Sequence, residues 1–163
     1  MIHLNPHRLM AENHLMLGNA YREKNNLAKA LTEFKKSVIA DSSFARGYIN
    51  IGVIHTRRSQ YAEGAKYFRK ALAINPTIPE IYFNLATCFL KDNNINAAIK
   101  ILEEARRYFP INDYLHFKLG MTYYEAGRVN DAMQSLEKSL QLNPNNKTAV
   151  KVYNALINIP AEK

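Results

Sequence analysis

Apolar residues recur along this chain at spacings of three and four, in short blocks separated by polar breaks. In residues 45–78, Tyr48, Ile51, Gly52 and His55 form one set, and Tyr61, Gly64, Ala65, Phe68, Ala71 and Leu72 a second. Such spacings put each set on one face of an α-helix. No stretch keeps a clean two-residue alternation, so no strand is expected. The pattern predicts helices over about 11–24, 27–41, 45–58, 61–74, 79–92, 95–108, 113–126 and 129–142, and a ninth over about 147–158.

The blocks return every 34 residues without insertion, as the spacing of Gly18, Gly52, Ala86 and Gly120 shows. Four further columns keep that register: Leu17, Ile51, Leu85, Leu119; Ala30, Gly64, Ala98, Ala132; Phe34, Phe68, Leu102, Leu136; Ser42, Pro76, Pro110, Pro144. One small residue per helix lets paired backbones approach closely, and Phe or Leu fills the space beside them. Ala98 and Ala132 are expected where that approach is closest. Asn25, Asn93 and Gly127 sit in the breaks and tolerate the left-handed backbone that ends a helix, with Ser59 the weak member of the column. The Pro column stops each second helix. Ser42 departs from it, so the turn after the first block is expected to be less constrained.

A small residue after a large aliphatic, a second small residue, an aromatic or Leu, and a terminating Pro at this period resemble the tetratricopeptide repeat (TPR). The resemblance covers residues 11–146 and implies an all-α fold: a right-handed superhelical solenoid of four helix pairs with a C-terminal capping helix. The repeats would be 11–44, 45–78, 79–112 and 113–146, followed by cap and tail over 147–163. In the cap, Lys147, Lys151, Asn154 and Asn158 form an outer stripe opposite Val150, Tyr153, Leu156 and Ile157. Leu4-Asn5-Pro6 echoes Leu142-Asn143-Pro144, so residues 1–10 read as an N-terminal extension or vestigial repeat, with Pro6 disfavouring a helix. This segment folds over the first helix, or the face serves self-association, or the chain is a fragment; folding over is the plainest.

An apolar content of 47% with 22% charged residues is that of a globular protein. There is no 18-residue apolar run for a membrane helix and no secretory pattern at Met1, so a cytoplasmic chain is expected. The net charge of +8 concentrates in the second repeat, where Arg46, Arg57, Arg58, Lys66, Arg69 and Lys70 face only Glu63. Such a patch attracts acidic partners. Lys66, Arg69 and Lys70 read as a solvated exterior. Basic residues do not run along a whole stripe with interleaved aromatics, so nucleic acid is not the expected partner.

Catalysis finds little support. His14 and His116 stand where Tyr48 and Tyr82 stand in other repeats, and His55 shares a column with Tyr21, Phe89 and Tyr123; all three read as aromatic-sized core substitutes. His3 and His7 have metal-pair spacing without a third ligand. Glu103 and Glu104 are adjacent and diverge on a helix. The single Cys88 reads as a buried small hydrophobe. No cofactor or metal is implied.

In TPR proteins the concave face is lined by positions 2, 5, 6, 9, 12 and 13 of each repeat. The resemblance therefore carries a groove onto Leu15, Met16, Asn19 and Arg22; Arg46, Ile49, Asn50, Val53 and Arg57; Glu80, Phe83, Asn84, Leu90 and Lys91; and Tyr114, Phe117, Lys118, Met121 and Tyr124. Asn19 and Asn50 match two asparagines of the family's clamp for chaperone C-terminal carboxylates. Leu15, Glu80 and Asn84 replace its cations, so that clamp is not expected. Asn50 and Asn84 resemble instead the asparagine ladder of O-linked N-acetylglucosamine transferases, whose amides bind a peptide main chain. The implied function is a non-catalytic adaptor taking a partner's apolar, acidic segment in the groove. Its rivals are a self-associating scaffold using the N-terminal face or convex surface, and a recognition module serving a separate enzyme.

Overall fold

The structure, a computed structural model, describes residues 5–158 and is helical throughout, with no strand among them. The elements are α1 (Pro6–Glu23), α2 (Leu27–Ala40), α3 (Ala45–Arg57), α4 (Tyr61–Ile74), α5 (Pro79–Lys91), α6 (Ile95–Tyr108), α7 (Asp113–Glu125), α8 (Val129–Leu142) and α9 (Lys147–Ile157). They group into two compact units, one ending at Asp92 and the other beginning at Asn93. In the first, α1 pairs with α2 and α3 with α4, while α5 packs on α4. In the second, α7 lies against α6 and α8, and α9 docks on α8.

The helices form where the apolar spacing places them, but α1 starts earlier. Pro6, expected to oppose a helix, occupies its first turn, where a missing N–H costs nothing. The Asn5 side chain accepts from the His7 N–H at 3.0 Å and so caps the end. Residues 6–10 thus belong to α1 and do not fold back over it; residues 1–4, with His3, lie outside the described part. Arg8 fastens this extension, pairing with Asp41 at 3.2 Å and lying 4.3 Å from the centre of the Phe44 ring.

Turn chemistry repeats with the period. Asn25, Ser59, Asn93 and Gly127 all adopt left-handed backbone, at φ 55°, 59°, 56° and 72°. The following N–H reaches back to the first helix, as from Asn26 to Tyr21 O at 2.8 Å and from Gln60 to His55 O at 2.9 Å. Ser59 therefore takes the strained conformation despite its residue type. Ser42, too, is held: Asp41 Oδ1 accepts from the Ser43 N–H at 2.9 Å, as Asn75 Oδ1 does from Thr77 in the Pro-containing turn. That local bond substitutes for proline's rigidity, so the turn is not looser.

Close approach of paired helices is direct. A Cβ added to Gly18 would lie 2.5 Å from the Phe34 ring, and one added to Gly52 would lie 2.8 Å from that of Phe68. On Gly64 it would come 3.2 Å from Gly52 O, and on Gly120 3.2 Å from Ala132 O. Both rings, Ala30, Ala132 and Leu136 are fully buried. At the C-terminal end Ala149 and Leu156 are the buried residues, whereas Val150 and Ile157 are 37% and 52% exposed, contrary to the cap predicted. Their equivalents one period earlier, His116 and Tyr123, are buried beside α8; no second helix follows α9 among the described residues.

A buried carboxylate braces the first pair. Glu33, 7% exposed, meets His14 Nδ1 at 2.8 Å and Lys36 Nζ at 2.8 Å. The Lys36 contact outweighs burial and, with His14, holds the Glu33 carboxyl below its ordinary value. The unfolded chain takes up that proton more readily. This contribution is therefore complete above the ordinary 4.5 and is lost as pH falls through the lowered native value.

Three outcomes are expected. Ala132→Leu should overpack the α7–α8 approach and lower stability by about 1–3 kcal/mol in denaturant melts. Ser59→Gly should raise it by about 1 kcal/mol by relieving the left-handed strain. Acidification below 4.5 should lower the melting temperature, and Glu33→Gln should start lower at neutral pH and lose less of it.

Candidate functional site

The helix faces left over after packing define the site, which is described for each unit separately. In the first unit, α1 and α3 pack side by side with α5 beyond, and their free faces enclose a hollow of about 350 Å³. Leu15, Asn19 and Arg22 enter it from α1, Arg46, Ile49 and Asn50 from α3, and Ile78 and Glu80 from the start of α5. A wider hollow of about 810 Å³ adjoins it, sharing Leu15, Arg46 and Ile78 and reaching Arg8, Glu12 and Met16.

Its polar groups are already organised. Arg22 Nη1 donates to Asn50 Oδ1 at 2.7 Å, and Asn50 Nδ2 donates to Arg46 O at 2.9 Å. The Asn50 amide therefore spends both ends within the protein. It positions the Arg22 guanidinium, with one N–H and one acceptor lone pair left over toward the hollow it lines. Asn19 differs: its Oδ1 is buried and accepts no hydrogen bond among the described residues. A buried carbonyl left so is costly. Ile49, expected to meet a ligand, is 6% exposed and forms the floor. Nearly buried, it still lines the hollow with its neighbours.

The hollow gathers Asn19, Arg46, Ile49 and Asn50. Val53, Arg57, Phe83, Asn84, Leu90 and Lys91 lie on α3 and α5 outside its lining, with Arg57 and Lys91 exposed at helix ends and the other four half-buried. Arg8 and Ile78 were not anticipated. Asn5-Pro6, a capping residue before a first-turn proline, was the signal for the longer α1 that carries Arg8.

In the second unit, α7 carries Tyr114, Phe117, Lys118, Met121 and Tyr124 along one side. The Tyr114 and Phe117 rings tilt together at 6.3 Å, and the Lys118 ammonium stands 5.4 Å from the Tyr114 ring centre. Tyr114 and Tyr124 are nearly half exposed, so this is an aromatic patch rather than a core.

Of the basic residues of the second repeat, Arg46 lines the hollow and Arg57 does not. Arg69 lies over Phe89 and Lys70 near Tyr48 and Tyr67, while Lys66 pairs loosely with Glu63 at 3.5 Å. These occupy α4; Arg46 faces the hollow.

Other candidate chemistry is structural. His55 stacks on Tyr67 at 5.3 Å and meets Gln60, and His116, 6% exposed, bonds Pro110 O at 2.9 Å. A polar cleft in the second unit holds Glu103, Arg106, Tyr123 and Asp131. Tyr123 donates to Glu103 Oε1 at 2.6 Å, and burial with that bond pushes its pKa up to about 12, so its proton stays in place. Burial raises the Cys88 thiol, which keeps it out of the reactive thiolate form. Among the described residues no three His, Cys, Asp or Glu side chains cluster as for a metal, and no helix is long and apolar enough to cross a membrane.

One tetratricopeptide repeat model matches residues 56–110 and 90–154, and another matches residues 15–79. No curated protein sequence matches. Among solved structures, YrrB, described as a TPR protein with an unusual peptide-binding site, is 22% identical at a TM-score of 0.72, over 88% of this chain and 74% of that one. MamA from Desulfovibrio magneticus RS-1 is 15% identical at 0.78, over 90% and 83%. PilF from Pseudomonas aeruginosa is 21% identical at 0.80, over 94% and 70%. At these identities the likeness is one of fold. The helix pairs, their glycine contacts and the matched family models agree: the chain belongs to the tetratricopeptide repeat family, whose members serve as protein-interaction scaffolds.

Proposed function

We propose that this protein is a non-catalytic adaptor that holds an acidic, partly apolar peptide segment of a partner against its first helices. The observation that carries this is the hollow of the first unit. There Arg22 and Arg46 line one hollow with the Asn19 and Asn50 amides and the apolar Leu15 and Ile78. A carboxylate fits Arg22, whose guanidinium keeps donors to spare after serving Asn50. Apolar side chains fit Leu15 and Ile78. Glu80 on the rim disfavours a uniformly acidic ligand and so fixes orientation.

Panning a random peptide library against the protein tests this. Enriched peptides should combine acidic and apolar residues, and their binding should weaken as salt rises. Arg46→Glu should reduce affinity roughly tenfold or more, whereas reversing Lys66, Arg69 and Lys70 together should change little. Peptides that ignore Arg46 and depend on the α4 cations would overturn the reading.

A further inference from the structure

The outer side of α1 carries Pro6, Leu9, Met10, Asn13, Met16, Leu17 and Ala20, all exposed and within about a third of the helix circumference at 3.6 residues per turn. Leu9 is 47% exposed, Met10 53%, Met16 69% and Leu17 44%, which is unusual for neighbouring large apolar side chains.

The repeat shows what such a face does. One period on, Met10, Asn13, Leu17 and Ala20 become Phe44, Gly47, Ile51 and Ile54, and all four are buried. A helix covers them: a Cβ on Gly47 would lie 2.5 Å from Val38 Cγ1 of α2, and Val38, Leu27 and Leu31 pack around Ile51 and Ile54. Three of these columns hold Ile81, Leu85 and Cys88 in α5 and Leu115, Leu119 and Thr122 in α7, all buried; the Met10 column holds Ile78 and Asn112, both half-buried. Among the described residues, no helix covers these positions on α1.

The side chains on that face name their occupant. Read outward from Asn13, residues 9–17 run Leu-Met-Ala-Glu-Asn-His-Leu-Met-Leu, so Leu9 mirrors Leu17 and Met10 mirrors Met16. Asn13 also lies at the middle of the stripe around the helix. We infer that α1 is the interface of a symmetric homodimer, in which two copies of α1 lie antiparallel about a two-fold axis through Asn13. Leu9 then meets Leu17 of the second copy, and Met10 meets Met16. A patch that is its own mirror under a two-fold rotation is the condition for an isologous contact. The two Asn13 amides face each other with one donor and one acceptor each, which fixes the register. Antiparallel packing also sets the helix dipoles against one another. A single helix pair lies at the small end of protein interfaces, so the dimer should dissociate on dilution. This surface is distinct from the peptide hollow, and only Met16 also edges the adjoining one.

Sedimentation velocity over a concentration series of the wild-type chain should show a monomer–dimer equilibrium. Met10→Lys with Leu17→Lys should weaken it roughly tenfold or more, with helical circular dichroism and melting temperature unchanged at dilutions where the wild type is monomeric, because both side chains are exposed. Mild oxidation of Asn13→Cys should give a covalent dimer, since position 13 meets itself on the axis. Ala20→Cys, whose mate is Pro6, should not crosslink, and the buried Cys88 should not interfere. Should the lysine variant misfold, the cysteine pair decides alone. A wild type that stays monomeric, or a dimer in which Asn13→Cys fails to crosslink, overturns the proposal and leaves the stripe to another protein's helix. Peptide capture by the hollow would be unaffected by any of these results.

Discussion

The contact on which everything else depends is the near-touching of paired helices at a residue without a side chain. Gly18 lies under the Phe34 ring and Gly52 under that of Phe68, so close that a single Cβ would collide. Gly120 does the same against Leu136. Because the ring occupies the space a side chain would take, both the rotation and the distance of each pair are set. The remaining surface of each first helix then has two destinations. One side meets the second helix before it, and the other is left for solvent or a ligand. Interiors pack at crystal-like density, so this division leaves little slack.

The candidate site is built from that remainder. Leu15 packs in part on the core of the first unit, and stacking of the repeats brings it with Asn19, Arg22, Arg46 and Asn50 round one hollow. Within it the protein has already spent some of its polar capacity on itself. Asn50 bridges Arg22 to the α3 backbone, which aims a guanidinium at low entropic cost to binding, while Asn19 keeps an unsatisfied carbonyl. The open stripe on α1 follows from the same division. It lies partly on the other destination, the side that takes a preceding helix: the equivalents of Asn13, Leu17 and Ala20 in α3, α5 and α7 are buried.

Where the repeat departs from its own pattern, local chemistry restores the geometry. Asp41 rebuilds with a side-chain bond the turn that proline makes elsewhere, and Ser59 adopts a backbone for which Asn or Gly is used in the other breaks. Glu33, unexpected in a buried position, is tolerated because His14 and Lys36 satisfy both of its oxygens. The repeat constrains geometry more tightly than residue identity.

The amino-acid sequence by itself determined the helices, their turns, the 34-residue register and the family, because each depends on short-range spacing repeated four times. The columns of Gly18 and Phe34 made the pairing legible without coordinates. The family resemblance pointed to Asn19, Arg46 and Asn50, which line the hollow of the first unit. Only the tertiary structure decided that Ile49 is floor, that Asn50 is engaged at both ends, that Val150 and Ile157 stay exposed, and that Arg8 reaches Asp41. Periodicity says which way a side chain leaves its helix. What that side chain meets is set by residues some thirty positions away, and those contacts exist only once the helices have stacked.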